Sequence, residues 1–156
     1  MAIRNILKVA DDEETLRKNS REVTEITPRI LTLLDDMAET MYDANGVGLA
    51  APQVGVLRSV VVIDIGDGLI DLINPKVVFA KGEITTSEAC LSVPGVSGQV
   101  TRPEKVIVRA LNRNGEEFEI EGEGLLARAL CHETDHLNGG LFTDKVIEFD
   151  ENIMEE

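Results

Sequence analysis

The segment His132-Glu133-Thr134-Asp135-His136 contains both histidines of the chain, four residues apart, with a glutamate directly after the first. On an α-helix, positions i and i+4 stack on one face, so the two imidazoles can bind one metal ion. Glu133 lies about 100° round the helix from His132 and roughly 60° from His136. That angle keeps its carboxylate off the ligand face yet near enough to act on a water held there. The arrangement predicts a hydrolytic metal site with its own general base. Paired histidines also occur as ordinary surface residues, but here the context favours the metal. Gly124 precedes a helix-forming run, Leu125-Leu126-Ala127-Arg128-Ala129-Leu130, and Asn138-Gly139-Gly140 supplies a stop signal. Leu125 and Ala129 share the histidine stripe, which predicts that the stripe faces inward, where unpaired imidazoles would be costly.

A catalytic site of this kind needs a third protein ligand and one open position. A third histidine six residues after His136 is ruled out, because that position is Phe142. Glu148 is the first downstream glutamate candidate. Cys131 adjoins His132, but one helical residue turns its side chain about 100° away, and a small buried apolar role suits it better. Cys90, in Glu88-Ala89-Cys90-Leu91-Ser92, reads as a loop cysteine between strand-like segments, able to approach the helix face as a thiolate. Spacing alone leaves the choice open.

Gly46-Val47-Gly48-Leu49-Ala50-Ala51-Pro52-Gln53 is rich in small residues that let another backbone approach closely. It follows a helix rather than a strand, so it is no dinucleotide loop. Gln53 is its one neutral side-chain donor.

The elements that must position these groups are partly legible. Thr27-Pro28 reads as an N-cap and first helical residue, and Ile30, Leu33, Leu34, Met37 and Met41 recur at helical spacing up to the stop at Asn45-Gly46. Ser59 to Ile65 reads as a buried strand, Gly66-Asp67-Gly68 as a turn, and Leu69 to Asn74 as a second strand. Lys105 to Leu111 and Glu117 to Glu121 flank Asn112-Arg113-Asn114-Gly115, a hairpin signal. Phe118 and Ile120 alternate with glutamates, so one face of that strand should be exposed. Helix, strands and a late helix predict a single α+β domain over residues 1–156. Its sheets should be mainly antiparallel and packed around a central metal-binding helix.

Composition fits this picture. The chain has 156 residues, of which 43% are hydrophobic and 28% charged, which predicts a soluble globular protein rather than a disordered one. No apolar run approaches the ~20 residues of a membrane span, and Met1-Ala2-Ile3-Arg4-Asn5 has no signal-peptide pattern, so a cytoplasmic protein without membrane association is expected. A net charge of −14 argues against direct nucleic-acid binding. The terminal acidic cluster of Glu148, Asp150, Glu151, Glu155 and Glu156 reads as a solubility feature. Two cysteines in a reducing compartment do not suggest a disulfide framework.

Taken together, the three segments resemble peptide deformylase. That family carries Gly-x-Gly-Leu-Ala-Ala-x-Gln, matched by Gly46 to Gln53, and Glu-Gly-Cys-Leu-Ser, matched by Glu88 to Ser92 with Ala89 in place of glycine. It also carries Gln-His-Glu-x-Asp-His-Leu, matched from Cys131 to Leu137 with Cys131 in place of glutamine. The resemblance implies that Cys90, His132 and His136 bind Fe(II), with zinc, nickel or cobalt as substitutes, and that Glu133 is the acid/base. It implies that Gln53 and the backbone N–H of Leu91 stabilise the oxyanion, that Val47 and Gly48 pair with the bound peptide, and that Glu88 and Arg102 support the site. The implied substrate is the N-formyl-methionine end of a newly made protein. Some family members dock on the ribosome through a longer basic C-terminal helix. Here a short acidic tail follows the metal helix, so the resemblance implies at most a transient ribosome contact. The rival readings are a zinc endopeptidase, which shares the metal helix, and a catalytically inactive binding protein, which the Ala89 and Cys131 departures would favour.

Overall fold

The structure is a computed structural model that describes residues 2–150. The chain begins with helix α1 (Val9–Leu16), then α2 (Pro28–Asp43), β1 (Gly48–Ala50), a 3-10 turn (Ala51–Val54), β2 (Val60–Ile63) and β3 (Ile70–Lys81). It continues through β4 (Ile84–Cys90), β5 (Val93–Arg102), β6 (Lys105–Leu111), β7 (Glu117–Glu123), α3 (Leu125–Leu137), a 3-10 turn (Phe142–Asp144) and β8 (Val146–Phe149). Two antiparallel sheets result, one of five strands in the order β1-β2-β3-β6-β7 and one of three in the order β4-β5-β8.

The five-stranded sheet lies between two helices. Alternate β2 side chains point to opposite faces. Val61 and Ile63 join Val106, Val108 and Ala110 in a core built against Ala127, Leu130 and Leu137 of α3. Val60 and Val62 join Leu33, Leu34, Met37 and Met41 of α2 on the other face. This explains why β2 reads as a continuous apolar run: both of its faces are covered. The three-stranded sheet packs through Val93 and Val100 onto Phe142, just beyond α3. Helix α3 is thus central, as expected.

The helix signals act as read. The Thr27 side chain accepts from the Ile30 N–H, Pro28 opens α2, and Asn45 takes a left-handed φ of 59° just beyond its end. Gly124, at φ 59°, makes the tight entry from β7 into α3. The Asn112–Gly115 turn joins β6 to β7 in register from Lys105↔Glu123 to Leu111↔Glu117.

Other expectations need correction. The first predicted strand is shorter, Val60–Ile63. The second does not stop at Asn74. Asn74 adopts φ 55°, its side chain bonds both backbone groups of Val23, and β3 resumes beyond the register shift at Ile73/Lys76. Leu125 is 53% exposed despite sharing the histidine stripe, because its end of the stripe faces an open cleft. Helix α1 and strands β4, β5 and β8 were not anticipated. Of the acidic tail, Glu148 and Asp150 lie within the described residues, and Glu151, Glu155 and Glu156 lie outside them. No helix among the described residues is long and apolar enough to cross a membrane.

Candidate active site

Cys90 does not sit in a loop. It is the last residue of β4, where the register with β5 shifts between Ala89 and Cys90. At that irregularity the strand end meets α3. Cys90 Sγ lies 3.3 Å from His136 Nε2, which in turn lies 3.3 Å from His132 Nε2. All three donor atoms fall within 4.8 Å of one another. Bond lengths of ~2.0–2.1 Å to nitrogen and ~2.3 Å to sulfur place tetrahedral donors roughly 3.3–3.6 Å apart, so this donor set fits a single metal ion. Both imidazoles are buried, and His132 stacks on Phe142, the residue at the position where a third histidine was excluded.

The other two candidates for third ligand fall away. Glu148 is exposed on β8, paired with Gln99. Cys131 points into the core beside Leu130 and Leu137, and burial pushes its thiol pKa up, which disfavours a thiolate.

Glu88 orients the first histidine. Its Oε1 faces His132 Nδ1 at 2.9 Å, which leaves Nε2 to point into the cluster. Burial alone would raise the Glu88 pKa. Hydrogen bonds from Arg102 and His132 outweigh it and hold the carboxylate well below the usual range. Arg102 bridges Glu88 and Asp135, with bonds of 2.7 Å to each from its two terminal nitrogens. In the metal-free protein, burial opposes charge on either imidazole. At His132 the hydrogen bonds to Cys90 and Glu88 prevail and raise the pKa, whereas at His136 burial and the neighbouring His132 charge lower it.

Glu133 is 4% exposed, and burial pushes its carboxyl up to about 7. Its Oε1 has no hydrogen-bond partner among the described residues. The carboxylate rests against the Gly48 backbone, where a side-chain carbon would lie 2.6 Å from Oε2. Gly48 is therefore glycine for lack of space, since its φ is not positive.

Gln53 lies across the cluster. Its Oε1 accepts from the Ala50 N–H at 3.0 Å, which turns Nε2 toward Ser92 Oγ at 3.1 Å and Cys90 Sγ at 3.6 Å. Val47 holds the start of β1 by accepting from the Asp64 N–H at 2.9 Å, and its side chain is exposed. Leu91 follows Cys90 directly, with its side chain against Gly46. These groups line a cleft of about 340 Å³ whose other walls include Ser87, Leu125, Arg128 and Ala129. The structure therefore brings together Cys90, His132, His136, Glu133, Gln53, Leu91, Val47 and Gly48, and leaves Cys131 and Glu148 outside the site. Ala89 is an exposed strand residue paired with Ser97, and its φ is not positive, so no strain attends the missing glycine. Ser92, Asp135 and Arg128 were not singled out. Ser92 and Asp135 each occupy a matched motif position, whereas Arg128 had no signal beyond its place in the helix-forming run.

A family model described as polypeptide deformylase matches residues 3–152. A peptide deformylase of Acetivibrio thermocellus is 64% identical over 156 residues, covering 99% of this chain and 91% of that protein. One from Thermoanaerobacter pseudethanolicus is 62% identical over 149 residues, covering 96% and 92% respectively. The crystal structure of a Legionella pneumophila peptide deformylase superposes with a TM-score of 0.89 at 51% identity, covering 93% of this chain and 86% of that one. A Synechococcus elongatus peptide deformylase in complex with actinonin gives 0.87 at 40% identity, covering 97% and 81%.

Proposed function

This chain belongs to the polypeptide deformylase family, and from that premise we propose how its residues divide the work. The reaction is hydrolytic removal of the formyl group from the N-terminal formyl-methionine of new proteins, giving formate and a free amine. Cys90, His132 and His136 would hold one metal ion, which when bound polarises the formyl carbonyl and lowers the pKa of a water. We assign Fe(II) as the resident metal, with zinc, nickel or cobalt able to replace it, on the family resemblance and on a thiolate–imidazole donor set that suits all four.

Glu133 accepts the proton of the attacking water and returns it to the departing amine. Between these two transfers, as the water adds to the formyl carbon, charge gathers on the former carbonyl oxygen, where Gln53 Nε2 and the Leu91 N–H donate to it. The backbone at Val47 and Gly48, at the start of the edge strand β1, pairs with the extended peptide. The cleft beside Leu125 and Ala129 receives the methionine side chain. The observation that carries this reading is Glu133 itself. A purely structural metal site has no use for a buried carboxylate whose Oε1 is unpartnered among the described residues, close to the ligand cluster.

Residues 1–156 act as one catalytic domain. It works in the cytoplasm, and its contact with the ribosome is transient. Formate release from formyl-Met-Ala-Ser tests the assignment of roles. Wild type should release formate and leave the unblocked peptide intact. Glu133→Gln should lower turnover by ~10²–10⁴ while metal content holds. Undiminished formate release in Glu133→Gln would overturn the assignment. For the metal, full activity in an aerobic zinc-only preparation, no higher after anaerobic iron loading, would count against iron.

A further inference from the structure

We propose that Arg128 is a positioning residue for the metal ligands, tying the helix that carries His132 and His136 to the strand that ends in Cys90. The proposal rests on the reading of Cys90, His132 and His136 as the ligand set. Those ligands come from two separate elements, α3 and β4, so their spacing depends on what fixes one element against the other.

Arg128 lies on α3 one turn before His132, on the same face. Its side chain is buried, at 8% exposure. One terminal nitrogen, Nη1, forms an ion pair with Glu88 Oε2 on β4. The other, Nη2, donates to the Ile84 carbonyl, at the start of β4, and to the Val100 carbonyl on β5, both at 3.2 Å. One guanidinium thus engages β4 near both of its ends and the adjoining strand as well. Only a planar fork of donors can do this, and burying a cation is tolerated only where its N–H groups are so matched.

The contact also acts on Glu88. Arg128 Nη1 and Arg102 Nε, the latter at 2.9 Å, occupy Oε2, which leaves Oε1 for Arg102 Nη2 and His132 Nδ1. The carboxylate is therefore held from two sides with one oxygen turned to the histidine. Arg102 makes a second tie between sheet and helix, from β5 to Asp135, but it starts from the sheet and does not replace the Arg128 hold on the β4 backbone. Because Arg102 still neutralises Glu88, loss of Arg128 leaves no unpaired buried carboxylate, and the variant is expected to fold.

The test uses full-length wild type, Arg128→Met, Glu88→Gln and the double variant, each loaded anaerobically with Co(II). Three quantities are read: the thiolate-to-cobalt and ligand-field absorption bands, the rate of cobalt loss to a chelator, and the unfolding midpoint of the metal-free protein. Arg128→Met should lose cobalt roughly 10–100-fold faster, with shifted ligand-field bands, as expected when a group supporting metal ligands is removed. In the Glu88→Gln background the same change should have a clearly smaller effect, since the two share an interaction. A lower midpoint with unchanged bands and unchanged cobalt loss would mean that Arg128 only stabilises the fold, and would overturn the proposal. Should Arg128→Met fail to fold, Arg128→Lys is measured in the same way. It keeps the charge but not the fork, so faster cobalt loss supports the proposal and unchanged loss overturns it. Wild-type formate release is a separate readout. Its absence would sink the assigned catalytic roles without touching the cobalt result.

Discussion

Gly48→Ala is a sharp test of the site, because its effect follows from one close approach. A Cβ at this position would lie 2.6 Å from Glu133 Oε2 and 3.0 Å from both Cδ and Cγ. Strand β1 cannot easily retreat, since Gly48 is paired with Ile63 of β2 and the Val47 carbonyl is held by the Asp64 N–H. The Glu133 side chain must therefore give way. Ordinary contact begins at 3.4 Å, so the oxygen has to move by roughly 0.8 Å. A 1 Å misplacement of a reacting group can cost ~10²-fold, equivalent to ~2.7 kcal/mol in the barrier. Overpacking should also lower stability by ~1–3 kcal/mol. Metal content should hold, because Glu133 is outside the ligand cluster. The assay is formate release with kcat and KM resolved, alongside metal analysis. In a Glu133→Gln background the glycine substitution should lower turnover much less, because the displaced group has already lost its function. A kcat within about threefold of wild type would refute the reasoning, and a raised KM alone would show that the new methyl blocks the peptide instead.

Cys90→Ala, His132→Ala and His136→Ala should each abolish or severely weaken metal binding, whereas Cys131→Ala should keep it, as checked by metal analysis of folded protein. Full occupancy in Cys90→Ala with loss in Cys131→Ala would reverse the ligand assignment. Ala89→Gly should change turnover by less than about tenfold, because Ala89 lies exposed in ordinary strand geometry; a gain of several orders of magnitude would show that the alanine disables the site. Asp36 accepts from the Ala2 N–H at 2.7 Å and from Arg4 Nε at 2.9 Å. Burial would raise its pKa, but these bonds outweigh it and hold the value below the ordinary 3.8. The folded state therefore binds that proton less tightly than the unfolded chain. The stabilisation is present above the ordinary value and lost as pH falls through the lowered one. Asp36→Asn should lower stability at neutral pH and flatten its decline below about pH 4, measured by urea unfolding across pH.

The sequence by itself determined what depends on local periodicity and local backbone chemistry. Two histidines at i and i+4, with Glu133 beside the first, were bound to share a helix face once Gly124 and Asn138 marked its ends. Thr27-Pro28 and Asn114-Gly115 likewise acted as written, because caps and turns are decided within a few residues. Motif resemblance carried Cys90 and Gln53 into the site, but spacing alone could not choose among Cys90, Cys131 and Glu148.

Only the tertiary structure decided the rest. Strand β4 is mostly exposed and reads Ile-Thr-Thr-Ser-Glu-Ala-Cys, so it has no apolar alternation to betray it. Its existence comes from pairing with β5, and that pairing makes Cys90 a strand end rather than a loop residue. The approach of Gly48 to Glu133 joins groups 85 positions apart in the chain, and the Arg128–Glu88 pair spans 40. The raised Glu133 pKa arises from burial that no stretch of helix supplies alone. Such features depend on which surfaces exclude water from one another, and that is settled only when sheet and helix pack together.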